Sequence, residues 1–213
     1  MATPSGKKTG HWHYPVVQGR QRQLGDDDYR LLVPEFIAPK IIGSGGANIK
    51  AIKEAAKAVD DRARIMIYHE QLTGEPLMEG SADRILGIRA SPEALENAIT
   101  MLIPLIQMPR SNKEKKVKLE MRIMIPYFCC ANVVGLGGKN LKEIQEETGS
   151  FVQTYKESLP HSQERLVRIQ HFEADALCIT AMKIWKSIAP FKKQQPLVLY
   201  EPIWFEPGTY GNT

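Results

Sequence analysis

The chain has 213 residues, 43% of them hydrophobic and 24% charged, which fits a globular protein of one or two domains and argues against wholesale disorder. Its 28 Lys and Arg exceed 24 Asp and Glu, and the net charge of +4 permits a polyanionic partner without demanding one. The longest apolar run, 98–106, falls short of the roughly 20 residues a membrane span needs, and Lys7 and Lys8 have no apolar core behind them, so neither a span nor a secretory leader is expected.

Residues 1–27 hold Pro, Gly, Gln and basic residues and are expected to be flexible. Within them, His11-Trp12-His13-Tyr14 offers only two histidines, a poor metal site. Tyr29 to Val33 reads as a strand stopped by Pro34, and a short helix follows from Glu35, with Pro39 near its first turn. The loop Gly43-Ser44-Gly45-Gly46 leads into a helix over Asn48 to Lys57. Arg64 to Tyr68 reads as a strand, 69–82 as a mobile acidic loop carrying Glu70, Glu75 and Glu79, and Arg84 to Arg89 as a third strand. A closing helix starts at Pro92 and places Leu95, Ile99 and Leu102 on one face.

A basic junction, 109–116, then separates this unit from a second one. Val117 to Ile125 is a strand, a short helix starts at Tyr127, and the loop Gly135-Leu136-Gly137-Gly138 precedes a helix over Asn140 to Glu147. Phe151 to Tyr155 and Arg165 to Gln170 read as strands around a shorter mobile loop, 156–163. The last helix, from about Glu173, carries Leu177, Ala181 and Ile184. Three cysteines, Cys129, Cys130 and Cys178, make a poor disulfide framework or zinc site, so buried apolar fillers in a reducing compartment are expected.

The two units are copies. Leu32-Val33-Pro34 and Ile41 to Ile52 match Met124-Ile125-Pro126 and Val133 to Ile144, every paired position lying 92 apart. Downstream, Arg84 to Ile88 matches Arg165 to Ile169 at a spacing of 81, so the first copy has eleven more residues between its glycine loop and its third strand. The domains are therefore about 28–108 and 117–189, each β-α-α-β-β-α, with a Pro- and aromatic-rich tail at 190–213.

Each glycine loop joins two helices and ends at a helix N-terminus, whose unpaired N–H groups favour a phosphate. A nucleotide-hydrolysing P-loop needs a strand before it and Gly-Lys-Ser/Thr at its end; these loops end in Gly-Ala-Asn and Gly-Lys-Asn. A dinucleotide fingerprint also needs a preceding strand. The GXXG loop between helices, which clamps about four nucleotides by their backbone, fits the context. With Val-Pro before the loop, Ala63-Arg64-Ile65 and Asp83-Arg84-Ile85 after it, and Glu164-Arg165-Leu166 in the second copy, the chain resembles tandem type I KH domains of the poly(C)-binding and Nova-like group. The resemblance covers most of 28–189.

That resemblance implies an α+β fold in which each domain packs a three-stranded antiparallel sheet on three helices. It implies single-stranded RNA held in two grooves; no Ser-His-Asp set, paired carboxylates or metal spacing stands out in the sequence, so no cofactor, metal or catalysis is expected. Gly43, Ser44, Gly45 and Gly46, with Gly135, Leu136, Gly137 and Gly138, would hold the sugar-phosphate chain. Ile41, Ile49 and Ile65, with Val133, Leu141 and Val152, would touch bases or pack beneath them. Arg64, Arg84 and Arg165 would read base edges, or else be solvated strand residues; Phe151 stands where the second copy lacks its counterpart of Arg64. The loops lack the lysine or arginine common in the family, so Lys40, Lys50 and Lys139 around them, and Asn132 at the place of Lys40, complete the expected RNA contacts.

By segment, the net charge is +2 over 1–27, −2 over 28–108, +4 over 109–118 and zero beyond. The junction lysines Lys113, Lys115 and Lys116 either solubilise a connector or follow RNA from one groove to the other. The apolar tail, Leu197 to Tyr200 and Pro202 to Phe205, either folds back or serves a protein partner. The expected role is regulation of mRNA, through untranslated regions, in cytoplasm, nucleus or both, with no membrane contact. The competing reading is a scaffold that uses the third strand and last helix of each KH fold to pair with another protein.

Overall fold

The computed structural model describes residues 21–25, 28–67, 83–107, 117–160 and 162–200. Gln21–Arg22 forms a short strand, β1, and Asp28–Val33 forms β2. Helices α1 (Ala38–Ile42) and α2 (Ala47–Lys57), strands β3 (Arg64–Ile67) and β4 (Arg84–Arg89), and helix α3 (Pro92–Leu102) complete the first copy. The second copy runs β5 (Leu119–Pro126), α4 (Cys130–Val134), α5 (Lys139–Thr148), β6 (Phe151–Ser158), β7 (Glu164–His171) and α6 (Ala174–Ile188). A last strand, β8 (Leu197–Val198), pairs antiparallel with β1.

Local chemistry sets the boundaries. The Ser91 hydroxyl accepts the Ala94 N–H at 3.3 Å, and Pro92 and Glu93 occupy the first turn of α3, a favourable helix start. Gly149, in the left-handed region at φ +67°, stops α5. Strand alternation sorts each sheet into two faces. Tyr29, Leu31, Val33, Ile65, Leu86 and Ile88 turn to the helices and enter one apolar core shared with Leu95, Ile99, Ile123, Val167, Ala181 and Trp185. Arg30, Arg64, Met66 and Arg89, out of phase with these, stand on the helix-free face.

Each copy is a three-stranded antiparallel sheet under three helices, but the two sheets are not separate. The strand order is β3-β4-β2-β5-β7-β6, with β2 and β5 paired antiparallel at Arg30↔Met124 and Leu31↔Ile123. The first strand of each copy is an edge, with unpaired N–H and C=O groups, and each edge is closed by the other copy. Below the seam Tyr29 of the first copy meets Trp185 of the second edge to face, ring centres 5.1 Å apart.

Buried ion pairs lock the seam. Arg30 of β2 donates through Nε to Glu164 of β7 at 2.9 Å, and Arg122 of β5 donates through Nη1 to Asp83, just before β4, at 2.9 Å. Arg30 and Arg122 are 92 apart, and Asp83 and Glu164 are 81 apart, so each pair is the counterpart of the other. The seam is self-complementary, as in an isologous dimer. Glu164 is 0% exposed and also accepts the Tyr200 N–H at 2.7 Å; Arg122 also holds Glu120 at 2.7 Å.

Several expectations shift. Within the N-terminal stretch expected to be flexible, Gln21–Arg22 is a strand and Leu24 is buried against Leu197 and Leu199, because β8 offers an edge to pair with. The loop expected to be mobile at 156–163 begins as strand, β6 continuing to Ser158. It is then tied to the tail: Gln163 N–H donates to the Val198 carbonyl at 2.8 Å, and Val198 N–H to the Gln163 side chain at 2.9 Å. Tyr200 covers Leu32, Ile85, Met124, Leu159 and Leu166 across the seam. Lys192, 2% exposed, places its Nζ 4.1 Å from the Tyr29 ring centre and donates to the Asp28 carbonyl at 2.6 Å. The loop 69–82, the junction 109–116, and residues 1–20 and 201–213 lie outside the described residues.

Two outcomes follow. Glu164→Ala strands a buried guanidinium and should cost about 3–5 kcal/mol, whereas Arg30→Met with Glu164→Leu should recover most of it, measured by urea unfolding. The three cysteines are free and buried, and burial pushes the Cys129 thiol up to about 12 and raises those of Cys130 and Cys178. At pH 8 none should react with a thiol reagent in the folded protein, and all three should in denaturant, read by mass spectrometry.

Candidate nucleic-acid interface

The glycine loops are near-identical objects. Gly43, Gly45 and Gly46 have φ of +74°, +59° and +79°; Gly135, Gly137 and Gly138 have +74°, +60° and +84°. Three left-handed residues out of four explain why only Ser44 and Leu136 carry side chains there. The tight turn also needs space: a Cβ on Gly43 would lie 2.7 Å from Asn48 Cγ and 2.8 Å from its backbone N, and Gly135 meets Asn140 in the same way.

Those asparagines hold the turn shut. Asn48 donates its side-chain N–H to the Lys40 carbonyl at 2.8 Å, and Asn140 donates to the Asn132 carbonyl at 2.9 Å. Each bond ties the helix after the loop to the helix before it. The matching asparagines are visible in the repeat, but their role appears only in three dimensions. Residues Lys40 and Asn132 thus serve the loop through their carbonyls as well as lying beside it.

The expected contacts divide by burial. Ile41, Ile65, Val133 and Val152 are almost fully buried, so they support the groove from beneath. Ile49 and Leu141, half-buried at the start of α2 and α5, pack on the edge of that core and keep apolar surface beside the loops. Leu136, 97% exposed, stands free at the loop apex. Lys50 and Lys139 lie on the outer helix faces at 3.9 Å and 3.7 Å from Glu54 and Glu143, and Lys40 is exposed before the first loop.

The arginines separate. Arg84 and Arg165 occupy the same register, opposite Val33 and Ile125, on the helix side of the sheet. The Arg165 guanidinium lies beside the Cys130 thiol of α4, the helix that enters the second loop. In both residues Nε is buried and has no hydrogen-bond partner among the described residues. Arg64 is not with them. It stands opposite Arg89, on the face away from Ile65, and its Nη1 donates to the carbonyls of Ala63 at 2.9 Å and Asp61 at 3.4 Å. Phe151, its counterpart, lies 5.8 Å from the Arg168 guanidinium. Lys113, Lys115 and Lys116 fall outside the described residues. Among those described, no group of three His, Cys, Asp or Glu side chains is placed to hold a metal, and no helix is long and apolar enough to cross a membrane.

The loop geometry makes a graded expectation. Gly43→Ala, strained and colliding with the Asn48 backbone, should destabilise more than Gly45→Ala, which meets nothing within 4 Å and carries only the left-handed penalty of about 1–2 kcal/mol. Urea midpoints of the two variants give the order.

Two solved structures from Pyrococcus horikoshii OT3 are similar to this chain. One is a chain of the a/eIF2alpha–aDim2p–rRNA complex, with 15% identity over 79% of this chain and 86% of that one, and a TM-score of 0.27. The other is Dim2p, with 14% identity over 76% of this chain and 98% of that one, and a TM-score of 0.26. The KH domain model matches residues 28–103 and 120–181, the two copies that carry the glycine loops. With that match added to two helix–loop–helix clamps of one geometry, the chain belongs to the KH domain family of RNA-binding, non-enzymatic domains.

Proposed function

We propose that this protein binds single-stranded RNA sequence-selectively in both glycine-loop grooves. It regulates mRNA after transcription, through untranslated regions, in the cytoplasm, the nucleus or both. Within the family it would stand with the poly(C)-binding and Nova-like tandem KH proteins. The observation that carries the reading is the repetition of the clamp, with the same three left-handed glycines, the same asparagine staple and the same inward arginine in each copy.

The chemistry of selection follows from the parts. The loops carry no charge, so backbone amides at the starts of α2 and α5 take the phosphates. Ile49 and Leu141 offer apolar contact to a base. Arg84 and Arg165, half-buried, offer the outer N–H groups of their guanidiniums to base acceptors. Such a site rejects a base that cannot accept, which is the root of sequence preference.

The scaffold reading is weaker. It requires open third strands and last helices, but β4 and β7 are each paired on both sides. The last helices α3 and α6 pack on each other, Thr100 Oγ1 lying 3.9 Å from Cys178 Sγ.

The test places carboxylates at the loop apices. Ser44→Asp with Gly45→Asp should lower RNA affinity at the first groove at least about tenfold, and Leu136→Asp with Gly137→Asp should do so at the second. The readout is fluorescence anisotropy on RNA from a randomised selection, with circular dichroism confirming the fold. Unchanged affinity with both pairs combined in a folded protein refutes the reading.

A further inference from the structure

The two copies share one fold, so the places where equivalent surface residues differ are not demanded by that fold. They differ on the helix-free face. In the first copy Arg64 pairs in register with Arg89, and Met66 with Gly87. In the second copy the corresponding pairs are Phe151 with Gln170 and Gln153 with Arg168.

The second copy fills this surface with its own side chains. Arg168 lies by the Phe151 ring and donates to Gln153 at 2.6 Å, and Gln170 donates to Glu120. The first copy leaves it open, because Gly87 occupies the place of Arg168. Two adjoining concavities result, both bordered by Arg64 and Arg89. One, of about 400 Å³, is also lined by Asp60, Arg62 and Ser91. The other, of about 280 Å³, runs over Met66 and Gly87 to Arg22 and Arg30.

Two of the acids here, Asp60 and Asp28, are already engaged. Asp60 accepts the backbone N–H groups of Ser91 and Arg62 at 2.9 and 3.0 Å. Asp28 accepts from Arg89 at 2.7 Å and from Gly25 N–H at 2.8 Å. The Arg62 side chain, 90% exposed, lies 3.9 Å from Asp60, and Arg64 donates to backbone carbonyls, which orient its charge without cancelling it. Arg62 and Arg64 thus stand exposed at this one corner, with Arg89 paired to Asp28 beside them. Beside them Met66, 58% exposed, gives an apolar, polarisable platform.

We propose that this helix-free face of the first domain is a second RNA-contact surface, taking the phosphodiester backbone of the strand that flanks the first groove. The strand β3 makes the connection. It is the edge of the sheet, with Ile65 directed into the core under the groove and Arg64 and Met66 directed to this face. A strand leaving the groove past this edge reaches the arginines directly. A phosphodiester chain suits several guanidiniums spread along an open surface better than a single compact anion does. The inference rests on RNA binding in the first groove.

The experiment uses the full chain carrying Leu136→Asp and Gly137→Asp, so that only the first groove acts. Two probes come from one selected RNA: its four-nucleotide core alone, and the same core with eight-nucleotide flanks. Arg62→Ser with Arg64→Ser should leave affinity for the core unchanged, weaken the flanked RNA about tenfold, and flatten its log–log salt slope by about 1.4. Equal losses on both probes would place these arginines in the groove and overturn the proposal. Unchanged affinity and salt slope on the flanked RNA overturn it as well. If the protein with both arginines intact binds neither probe, the groove reading itself is what fails. Both side chains are exposed, so an unchanged melting temperature is the expected fold control.

Discussion

The pairing of β2 with β5 is the constraint on which the rest of the molecule depends. It joins two small sheets into one and puts both copies over a common core. A domain of about 70 to 80 residues has modest burial of its own, and sharing a core raises the fraction of apolar surface removed from water. The ion pairs across the seam add specificity of fit. Buried charges are costly to desolvate, so Arg30 and Arg122 are tolerable only where Glu164 and Asp83 meet them. The tail reinforces the same place, with Tyr200 on the apolar patch and its N–H on Glu164. The two grooves are consequently held at fixed positions, one at each end of a six-stranded sheet.

Much of this was legible in the sequence because it repeats. The elements and the glycine loops follow from periodicity and from the constant spacing of 92, and the α+β class from the family resemblance they carry. Local patterns of this kind depend on neighbours in the chain and survive reading in one dimension. The joining of the two sheets did not, since edge pairing depends on residues about 90 positions apart. A trace was present: an arginine repeats at 30 and 122 and an acid at 83 and 164, at the two spacings of the repeat itself. Their significance needed the knowledge that each arginine meets the other copy's acid. The contact residues divided for a similar reason. Arg64 and Arg84 look equivalent as strand arginines, but alternation sends them to opposite faces, and only the register of β3 on β4 fixes which face is which.

The charge distribution gains meaning from the same geometry. A net-negative first domain cannot attract a polyanion by bulk field. Its glycine loop is uncharged, and its flanking Lys50 is paired along the helix with Glu54. Its exposed guanidiniums, Arg62 and Arg64, stand together at one corner of the helix-free face, while Arg89 is paired with Asp28. On the proposed reading recognition would be local, resting on oriented donors at short range, and would differ in kind from the diffuse basic surface of a non-specific binder.

The self-complementary seam has a consequence for either half on its own. Cut free, each copy would present an unpaired strand edge whose ideal partner is nearly its own sequence. The first copy would lose the partners of Arg30 and Asp83 across the seam, and the second those of Arg122 and Glu164. Two identical halves could satisfy those groups by taking each other's place, Arg30 to Asp83 and Asp83 to Arg30. The chain can thus be regarded as a dimer whose two subunits have been tethered and then allowed to diverge. The covalent connection fixes which partner is met, and it is this certainty of partner that leaves one copy free to open a surface the other keeps closed.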